Sequence, residues 1–375
     1  MVMAYLKKIL YIIFISKKDF KLPKKNKIIF LDEIGYKKIR DSLLENLEFS
    51  IINLRYAEVN IPILLLSLIN VFKYGKHCYK ITFIKYVNAK FAFSFIDTSL
   101  HYCDLIEKIP DCKLILIQNG RRQGKELEPF IHRAEDKFKS DYYFVFNKEY
   151  AEYVQRYIST KFVVGGSILN NRYQKAEFIS KVEKVQYISE FHVKESVPDI
   201  DYEKWEIEPT KFVLEILNEF CKKNNLELEI IGRIFDSERE RNFYQQFNIP
   251  FKFTKKTKEN YSKLSNSSII VGMSSTMLGE SFSRYFRVAF FDIRNDFYLQ
   301  NHLKPGFAFP KKTNEHGEFW SNKPNKNKML ENLDFLYSVD ESDWSKLVEK
   351  WSDSLVVYDY GNNKYKKILK QESVI

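Results

Sequence analysis

The sequence predicts an α/β protein built from two Rossmann-like, doubly wound domains that face each other across a cleft. Three observations support this prediction: a length of 375 residues, a composition with 45% hydrophobic and 29% charged residues, and short apolar runs separated by amphipathic segments. A single core seldom grows beyond about 250 residues, so a chain of this length is expected to divide into two domains. Alternating short strands and helices are typical of parallel sheets covered on both faces.

In the first half of the chain, each short apolar run ends at a polar cluster. The length and period of these runs predict strands, and the longer segments between them predict helices. The predicted strands are 27–31, 49–54, 91–96, 113–117 and 142–146, and the predicted helices are 36–47, 61–72 and 101–109. Segment 61–72 (IPILLLSLINVF) is apolar throughout, which predicts a buried helix that begins beside Pro62.

The alternation of short apolar runs and amphipathic segments stops around residues 165–184 and then resumes, which indicates a linker followed by a second domain. The predicted strands after it are 185–189, 228–231, 269–271 and 288–291, and the predicted helices are 210–224, 237–247, 261–265, 278–285, 330–335 and 343–351. We therefore divide the chain into an N-terminal segment 1–25, a first domain 26–170 and a second domain 185–375.

The N-terminal segment combines apolar residues with lysines. Residues 4–16 (AYLKKILYIIFIS) are followed by five more lysines up to residue 25. A bilayer crossing needs about 20 apolar residues, so this segment is too short to span, and no small-residue cleavage site follows it. Two interpretations stay open: a helix in the membrane interface with its lysines against anionic headgroups, or a first helix packed on the protein.

The formal charge of +11 and the pI near 9.1 favour anionic partners, namely nucleic acid, nucleotide phosphates or an acidic membrane surface. The lysine-rich composition also fits an AT-rich genome without any selection for binding. Four cysteines lack paired spacing, so we expect no disulfide framework and a reducing cytoplasm. The scattered histidines and the lack of paired carboxylates at strand ends predict no metal site.

Two polar segments follow predicted strands, where ligands bind in open α/β sheets. Gln118, Asn119, Gly120 and Arg121 offer amide and guanidinium groups for sugar hydroxyls or an anionic acceptor, although an Asn-Gly pair alone also predicts a structural turn. The other segment, 268–291, ends a strand at Gly272 and starts a helix, and helix starts hold phosphates well.

Hydroxyl groups and a carboxylate complete the second segment. Ser274, Ser275 and Thr276 supply donors for a phosphate, and Glu280, about one turn into the helix, is expected to accept hydrogen bonds from a ribose. Ordinary helix capping by a serine or threonine is the alternative interpretation.

Two carboxylates are the candidate catalytic groups. Asp97 follows the predicted strand 91–96, and Glu190 follows the predicted strand 185–189. A carboxylate at such a position can act as a general base or as a nucleophile in a group transfer. Asp97 also fits a helix cap, and Glu190, with His192 nearby, also fits a solvated loop. Arg233 and Lys263 are expected to neutralise phosphate charge.

Five motifs carry a resemblance to a known group: FSFIDTS (93–99), LILIQNGRR (114–122), DYYFVFNK (141–148), IIGRIFDSERERNFY (230–244) and MSSTMLGE (273–280). Together they resemble the surface-carbohydrate biosynthesis proteins of bacteria, which make capsule, O-antigen or lipopolysaccharide and are glycosyltransferases of the GT-B architecture. The wider group is similar to bacterial Kdo transferases and sialyltransferases, which use CMP-activated acidic sugars. Where that group often has His-Pro, this chain has Gly232 and Arg233, so the donor stays open.

The resemblance implies a transferase that needs neither metal nor cofactor, with a nucleotide sugar in the second domain and a glycan or lipid-linked acceptor in the first. It also implies a cytoplasmic protein at the inner membrane face. A nucleotide-sugar epimerase or a CDP-polyol phosphotransferase on the same frame is the main alternative. A nucleic-acid-binding protein is disfavoured because no RRM, KH, OB or helix-turn-helix pattern occurs and the aromatic residues lie mostly in apolar runs.

Overall fold

The computed structural model describes residues 14–53, 58–99, 101–122, 138–196, 201–257, 260–294, 306–308 and 310–375. Two six-stranded parallel sheets dominate it, as predicted for two doubly wound domains. The strands are β1 Lys17–Asp19, β2 Ile28–Phe30, β3 Ser50–Ile51, β4 Glu58–Asn60, β5 Phe91–Ser94, β6 Lys113–Ile117, β7 Phe138–Val145, β8 Ile158–Val164, β9 Lys184–Ile188, β10 Glu227–Ile231, β11 Lys252–Thr254, β12 Ser268–Gly272, β13 Arg287–Phe291 and β14 Trp320–Ser321. The first sheet has the order β3-β2-β5-β6-β7-β8 and the second β11-β10-β9-β12-β13-β14.

Helices follow most strands, so the connections are those of parallel sheets. The α-helices are α1 Tyr36–Leu43, α2 Ile61–Ile69, α3 Val71–Tyr74, α4 Cys78–Val87, α5 His101–Ile106, α6 Lys148–Val154, α7 Glu208–Asn224, α8 Ser237–Gln245, α9 Thr276–Ser283, α10 Lys326–Ser338, α11 Glu341–Leu355 and α12 Asn363–Gln371. None of the helices in the described part of the chain has the length and hydropathy to traverse a bilayer.

Each face of the first sheet carries its own core, because side chains alternate along a strand. In β5, Phe93 belongs to the core on one face and Ala92 to the core on the other. The second sheet has one large core around β9, β12 and β13, in which a cluster of aromatic rings includes Phe290 and Trp344.

The C-terminal helix returns to the first sheet. Tyr365 and Leu369, one turn apart on α12, are buried in the same core as Phe93, and the Tyr365 ring stacks on Phe144 at 4.3 Å. The Tyr365 hydroxyl donates to the carbonyl oxygens of Val145 and Gly166. The sequence-based division placed this tail in the second domain, but its apolar stripe completes the core of the first.

Two predictions for the N-terminal part of the chain, an interfacial helix and a buried helix over 61–72, have different outcomes. Most of the predicted interfacial helix lies in residues 1–13, outside the described residues, while β1 directly after it pairs with β4. The prediction of a buried helix over 61–72 is wrong: α2 buries only Ile63 and Ser67. The reason is that α2 packs on α4 through one face, and nothing in the described chain covers its other apolar face.

Candidate functional site

The carboxyl ends of the strands in the two sheets face each other where residues 120–121 meet the start of α9. The backbone N–H of Arg121 donates to the Thr276 hydroxyl at 3.0 Å. A Cβ atom at Gly120 would lie 3.2 Å from the same oxygen, so the two loops approach closely. This is the edge at which open α/β sheets bind ligands, and it is where most of the predicted site residues lie.

The carboxylate of Glu190 fills the turn between β12 and α9. Its Oε1 accepts from the backbone N–H groups of Met273, Ser274 and Ser275 at 3.1, 2.6 and 2.7 Å, and its Oε2 accepts from the Ser274 hydroxyl at 2.7 Å. These are the donors that a phosphate would take at such a turn. The sequence predicted that they bind a phosphate after Gly272, whereas here an internal carboxylate from β9 occupies them.

Glu190 is buried and paired with a cation. Arg294 donates to Oε2 of Glu190 at 3.1 Å and to Glu206 at 3.4 Å. Burial works to raise the pKa of Glu190, but Arg294 and the hydrogen bonds from Ser274 and Ser275 outweigh it and hold the pKa below its ordinary value. Because the carboxylate is fixed as an ion, its position indicates that it shapes the turn rather than moving protons.

A second carboxylate and a histidine lie next to this ion pair. Glu206 faces Nδ1 of His192 at 3.1 Å, and burial raises the pKa of Glu206 to about 7. Burial, Arg233 and Arg294 lower the pKa of His192 to about 3, so the ring is neutral at pH 7. His192 therefore faces the Arg233 guanidinium as a neutral acceptor.

Arg233 lies at the end of β10 with its guanidinium bonded only to neutral groups in the described contacts. Nη1 donates to the carbonyl oxygens of Glu190 and Phe191 at 2.8 and 3.2 Å, and it faces Nε2 of His192. Its backbone N–H, next to Gly232, donates to the buried carboxylate of Glu240 at 2.7 Å. Within the described residues, the Arg233 side chain is thus oriented by neutral acceptors and forms no direct ion pair with a carboxylate.

Two lysines add to this charge from opposite sides of the cleft. Lys256 follows β11 in the second domain, and Lys38 lies on α1 of the first. Burial lowers the pKa of Lys256, Lys38 and Arg233 lower it further, and Glu240 opposes the shift, so Lys38 and Arg233 both lie within electrostatic reach of Lys256. We call Lys38, Arg233 and Lys256 the cleft cations.

Glu280 is buried inside α9 rather than open to a ribose. It accepts from the Tyr261 hydroxyl at 2.6 Å, and burial raises the pKa of its carboxyl. Ser275 is the N-cap of α9 and accepts from the Met277 N–H at 3.3 Å, which is the capping role that the sequence left open.

The predicted acceptor segment is used for contacts within the protein. The Gln118 side chain bonds to Gly120 and to the backbone of Phe146, and Asn119 donates to the Phe95 carbonyl at 2.6 Å. Arg121 crosses to the second domain, where its guanidinium lies 5.7 Å from the centre of the Phe290 ring. Gln118 and Asn119 therefore hold the turn within the first domain, while Gly120 and Arg121 contact the second domain.

Asp97 is buried within the first domain. It is 1% exposed, forms an ion pair with buried Arg122 and accepts from the Tyr143 hydroxyl at 2.5 Å. A carboxylate that is enclosed and saturated in this way cannot contact a substrate, so the geometry argues against the predicted catalytic role. The sequence could have predicted that Asp97 lies near Arg122, because the two residues follow the adjacent strands β5 and β6.

Several residues at this edge were missed by sequence reasoning. Lys256 was missed because the three-residue strand β11 before it was not predicted. Glu240 and Glu206 lie in helical segments, and residue spacing did not show which side of each segment points toward the cleft. Across the described residues, no group of three or more His, Cys, Asp or Glu side chains is arranged to hold a metal ion.

Comparison with known structures supports the fold. A Listeria monocytogenes protein described as a "putative UDP-N-acetylglucosamine 2-epimerase" shares 13% identity over 94% of this chain and 97% of its own, with a TM-score of 0.53. The UDP-GlcNAc 2-epimerase of Methanocaldococcus jannaschii, solved with UDP-GlcNAc and UDP, shares 14% identity over 93% and 99%, with a TM-score of 0.52. Anabaena HepE, solved with UDP and glucose, shares 10% identity over 93% and 100%, with a TM-score of 0.51.

At these identities the similarity shows the architecture alone, two Rossmann-like domains of the GT-B type. No curated protein matches the chain in sequence. A family model described as "putative O-antigen biosynthesis protein" matches residues 115–373. Since this match spans well over half of the chain, the protein belongs to that family of O-antigen biosynthesis proteins.

Proposed function

We propose that the protein is a glycosyltransferase that moves a sugar from a nucleotide-activated donor to a glycan or lipid-linked acceptor of a surface polysaccharide. The single observation that carries this proposal is the group of cleft cations. Lys38 comes from the first domain and Arg233 and Lys256 from the second, so an anion between the domains would be held from both sides.

The cleft cations suit the leaving group of glycosyl transfer. When the bond to the sugar breaks, negative charge develops on the nucleotide phosphate, and oriented cations stabilise it. Arg233 is oriented by the Glu190 and Phe191 carbonyls and by neutral His192, none of which cancels its charge. Glu190 has the supporting role of holding the turn after β12, in place of the catalytic role expected from sequence.

The resemblance of the motifs favours a CMP-activated acidic sugar such as Kdo as the donor, and the cleft cations agree with a substrate that carries both a phosphate and a carboxylate. A nucleotide-sugar epimerase is the second candidate, because one of the similar structures is an epimerase solved with UDP-GlcNAc. Incubation with UDP-GlcNAc alone separates the two, since only an epimerase would convert it without an acceptor.

Thermal unfolding with a panel of CMP, CDP, UDP, GDP and their sugars tests the proposal, because a ligand bound to the folded state raises the melting temperature. One nucleotide is expected to stabilise the wild type. Arg233→Ala and Lys256→Ala should each lower the affinity for that nucleotide about tenfold or more, because each removes one charge-assisted hydrogen bond.

The matched control is Lys252→Ala, an exposed lysine at the other end of β11, which should respond like the wild type. Stabilisation by no nucleotide, or equal stabilisation of the wild type and Arg233→Ala, would contradict the proposed site.

A further inference from the structure

Helix α2 and the start of α3 present an unusual apolar surface. Leu65, Leu68 and Ile69 are 61%, 60% and 80% exposed, and Phe72 is fully exposed. Leu66 is also exposed. We call these five residues the α2 surface.

A helix at the surface of a globular protein ordinarily carries polar residues on its outer face. In α2 both faces are apolar, because Ile63 is buried in the core and Leu64 packs against that core, while other leucine and isoleucine side chains are exposed. Adjacent exposed apolar side chains of this kind mark an interaction site more often than scattered ones do. The α2 surface is therefore expected to be covered by a partner.

A second apolar group lies on the neighbouring strand. β1 pairs with β4, and β4 runs directly into α2. The Asn60 side chain, at the end of β4, donates to Asp19 and to the Lys21 carbonyl at 3.0 and 2.6 Å, which ties the two segments together. The exposed apolar residues next to β1 are Phe14, Ile15, Phe20 and Leu22.

Lysines far outnumber acidic residues around both groups. No Asp or Glu occurs between residues 59 and 96, and Asp19 is the single acid between residues 14 and 31. Glu58 is paired with Lys17 at 3.3 Å. The exposed lysines of these segments include Lys17, Lys21, Lys24, Lys25, Lys73 and Lys85.

We propose that the α2 surface docks on an anionic lipid bilayer. Its apolar side chains would enter the boundary between headgroups and acyl chains, while the surrounding lysines meet the phosphates of the headgroups. The charge favours this partner over a second copy of the chain, because two such surfaces would bring lysines against lysines. The inference extends the proposed function by placing the protein where lipid-linked acceptors are, and its test needs no transferase activity.

The test is co-sedimentation of the full chain with vesicles of phosphatidylcholine and phosphatidylglycerol, compared with vesicles of phosphatidylcholine alone. The wild type is expected to pellet with the mixed vesicles. The double variant Leu68→Glu with Ile69→Glu should bind at least about tenfold more weakly, since two apolar side chains no longer enter the lipid. The double variant Lys24→Gln with Lys25→Gln should lose vesicle affinity by about fivefold per lysine, and only for the anionic vesicles.

The matched control is Ile179→Glu, which places the same substitution at an exposed isoleucine of the linker and should pellet like the wild type. Because the substituted side chains are exposed, all variants are expected to melt at the wild-type temperature. Failure of the wild type to bind mixed vesicles, or equal binding by the Leu68→Glu, Ile69→Glu variant, overturns the inference. A drop from dimer to monomer in that variant, without vesicle binding by the wild type, would identify a second copy as the partner instead.

The nucleotide response of the Leu68→Glu, Ile69→Glu variant separates this inference from the proposed function. It should equal that of the wild type, because α2 contributes none of the cleft cations. Vesicle binding without any nucleotide response would leave the docking surface in place and remove the transferase proposal.

Discussion

Glu190 and Ser274 are joined by two hydrogen bonds, one from the Ser274 backbone N–H to Oε1 at 2.6 Å and one from its hydroxyl to Oε2 at 2.7 Å. The anion that satisfies the turn before α9 thus belongs to the chain itself. With Arg294 on its other side, the Glu190 carboxylate ties the end of β9 to the end of β12. The turn is therefore rigid before any ligand arrives.

The first prediction concerns this carboxylate. Glu190→Gln leaves Arg294 without its full counter-charge in a buried place, and breaking a buried pair costs about 3–5 kcal/mol of unfolding free energy. Urea unfolding measures the loss. Glu195→Gln, which removes an exposed partner of Arg239, is the control and should leave the midpoint unchanged. A loss for Glu190→Gln no larger than that of the control would show that the turn does not need the charge.

The second prediction is a pH dependence set by Glu206. Burial raises its pKa from 4.5 to about 7, so between these values the folded state holds a proton that the unfolded state has released. In a pH range where the folded state holds more protons than the unfolded state, the unfolding free energy decreases as the pH rises. Between about pH 4.5 and 7 the wild type should therefore lose on the order of 3 kcal/mol of unfolding free energy from this group.

Glu206→Gln carries no titrating proton and should flatten that part of the stability curve, measured by urea unfolding at several pH values. Glu203→Gln, at an exposed position of the same segment, should keep the wild-type slope. Identical slopes for Glu206→Gln and the wild type would mean that Glu206 stays ionised when folded.

The third prediction separates structure from catalysis at Asp97. Asp97→Asn leaves buried Arg122 unpaired and should cost about 3–5 kcal/mol, whereas Asp97→Asn combined with Arg122→Met should cost less than the sum of the two single changes. Denaturant unfolding of the four proteins measures the coupling. A stable Asp97→Asn protein that has lost transferase turnover would instead restore the catalytic interpretation made from sequence.

The fourth prediction compares two glycines with positive φ. Gly166 has φ of 78°, and a Cβ there would meet the Val357 carbonyl oxygen at 1.7 Å, while Gly75 has φ of 53° with nothing within 4 Å. Gly75, with ψ of −132°, lies outside the left-handed helical region, so Gly75→Ala should cost only the backbone strain, about 1–3 kcal/mol. Gly166→Ala adds a backbone clash between the linker and the segment before α12 and should exceed about 4 kcal/mol. Equal losses in thermal unfolding would show that the linker can move aside.

Local pattern was enough to predict much of the fold. The run 113–117 is β6 with the predicted bounds, and 91–96 contains β5, because four or five consecutive apolar residues have few ways to be buried other than in a central parallel strand. The short edge strand β11 was missed, since three residues with one apolar side chain give no period to detect.

The sequence by itself therefore determined the α/β class, the two doubly wound halves and the strand ends at which polar residues gather. Tertiary structure alone decided which partner each polar group has. Asp97 pairs with Arg122, Glu190 accepts from the amides after Gly272, and Lys38 of the first domain lies within electrostatic reach of Lys256 of the second. The physical reason is that burial of apolar runs depends on neighbours in sequence, whereas hydrogen bonds and ion pairs depend on distances between segments that only packing brings together.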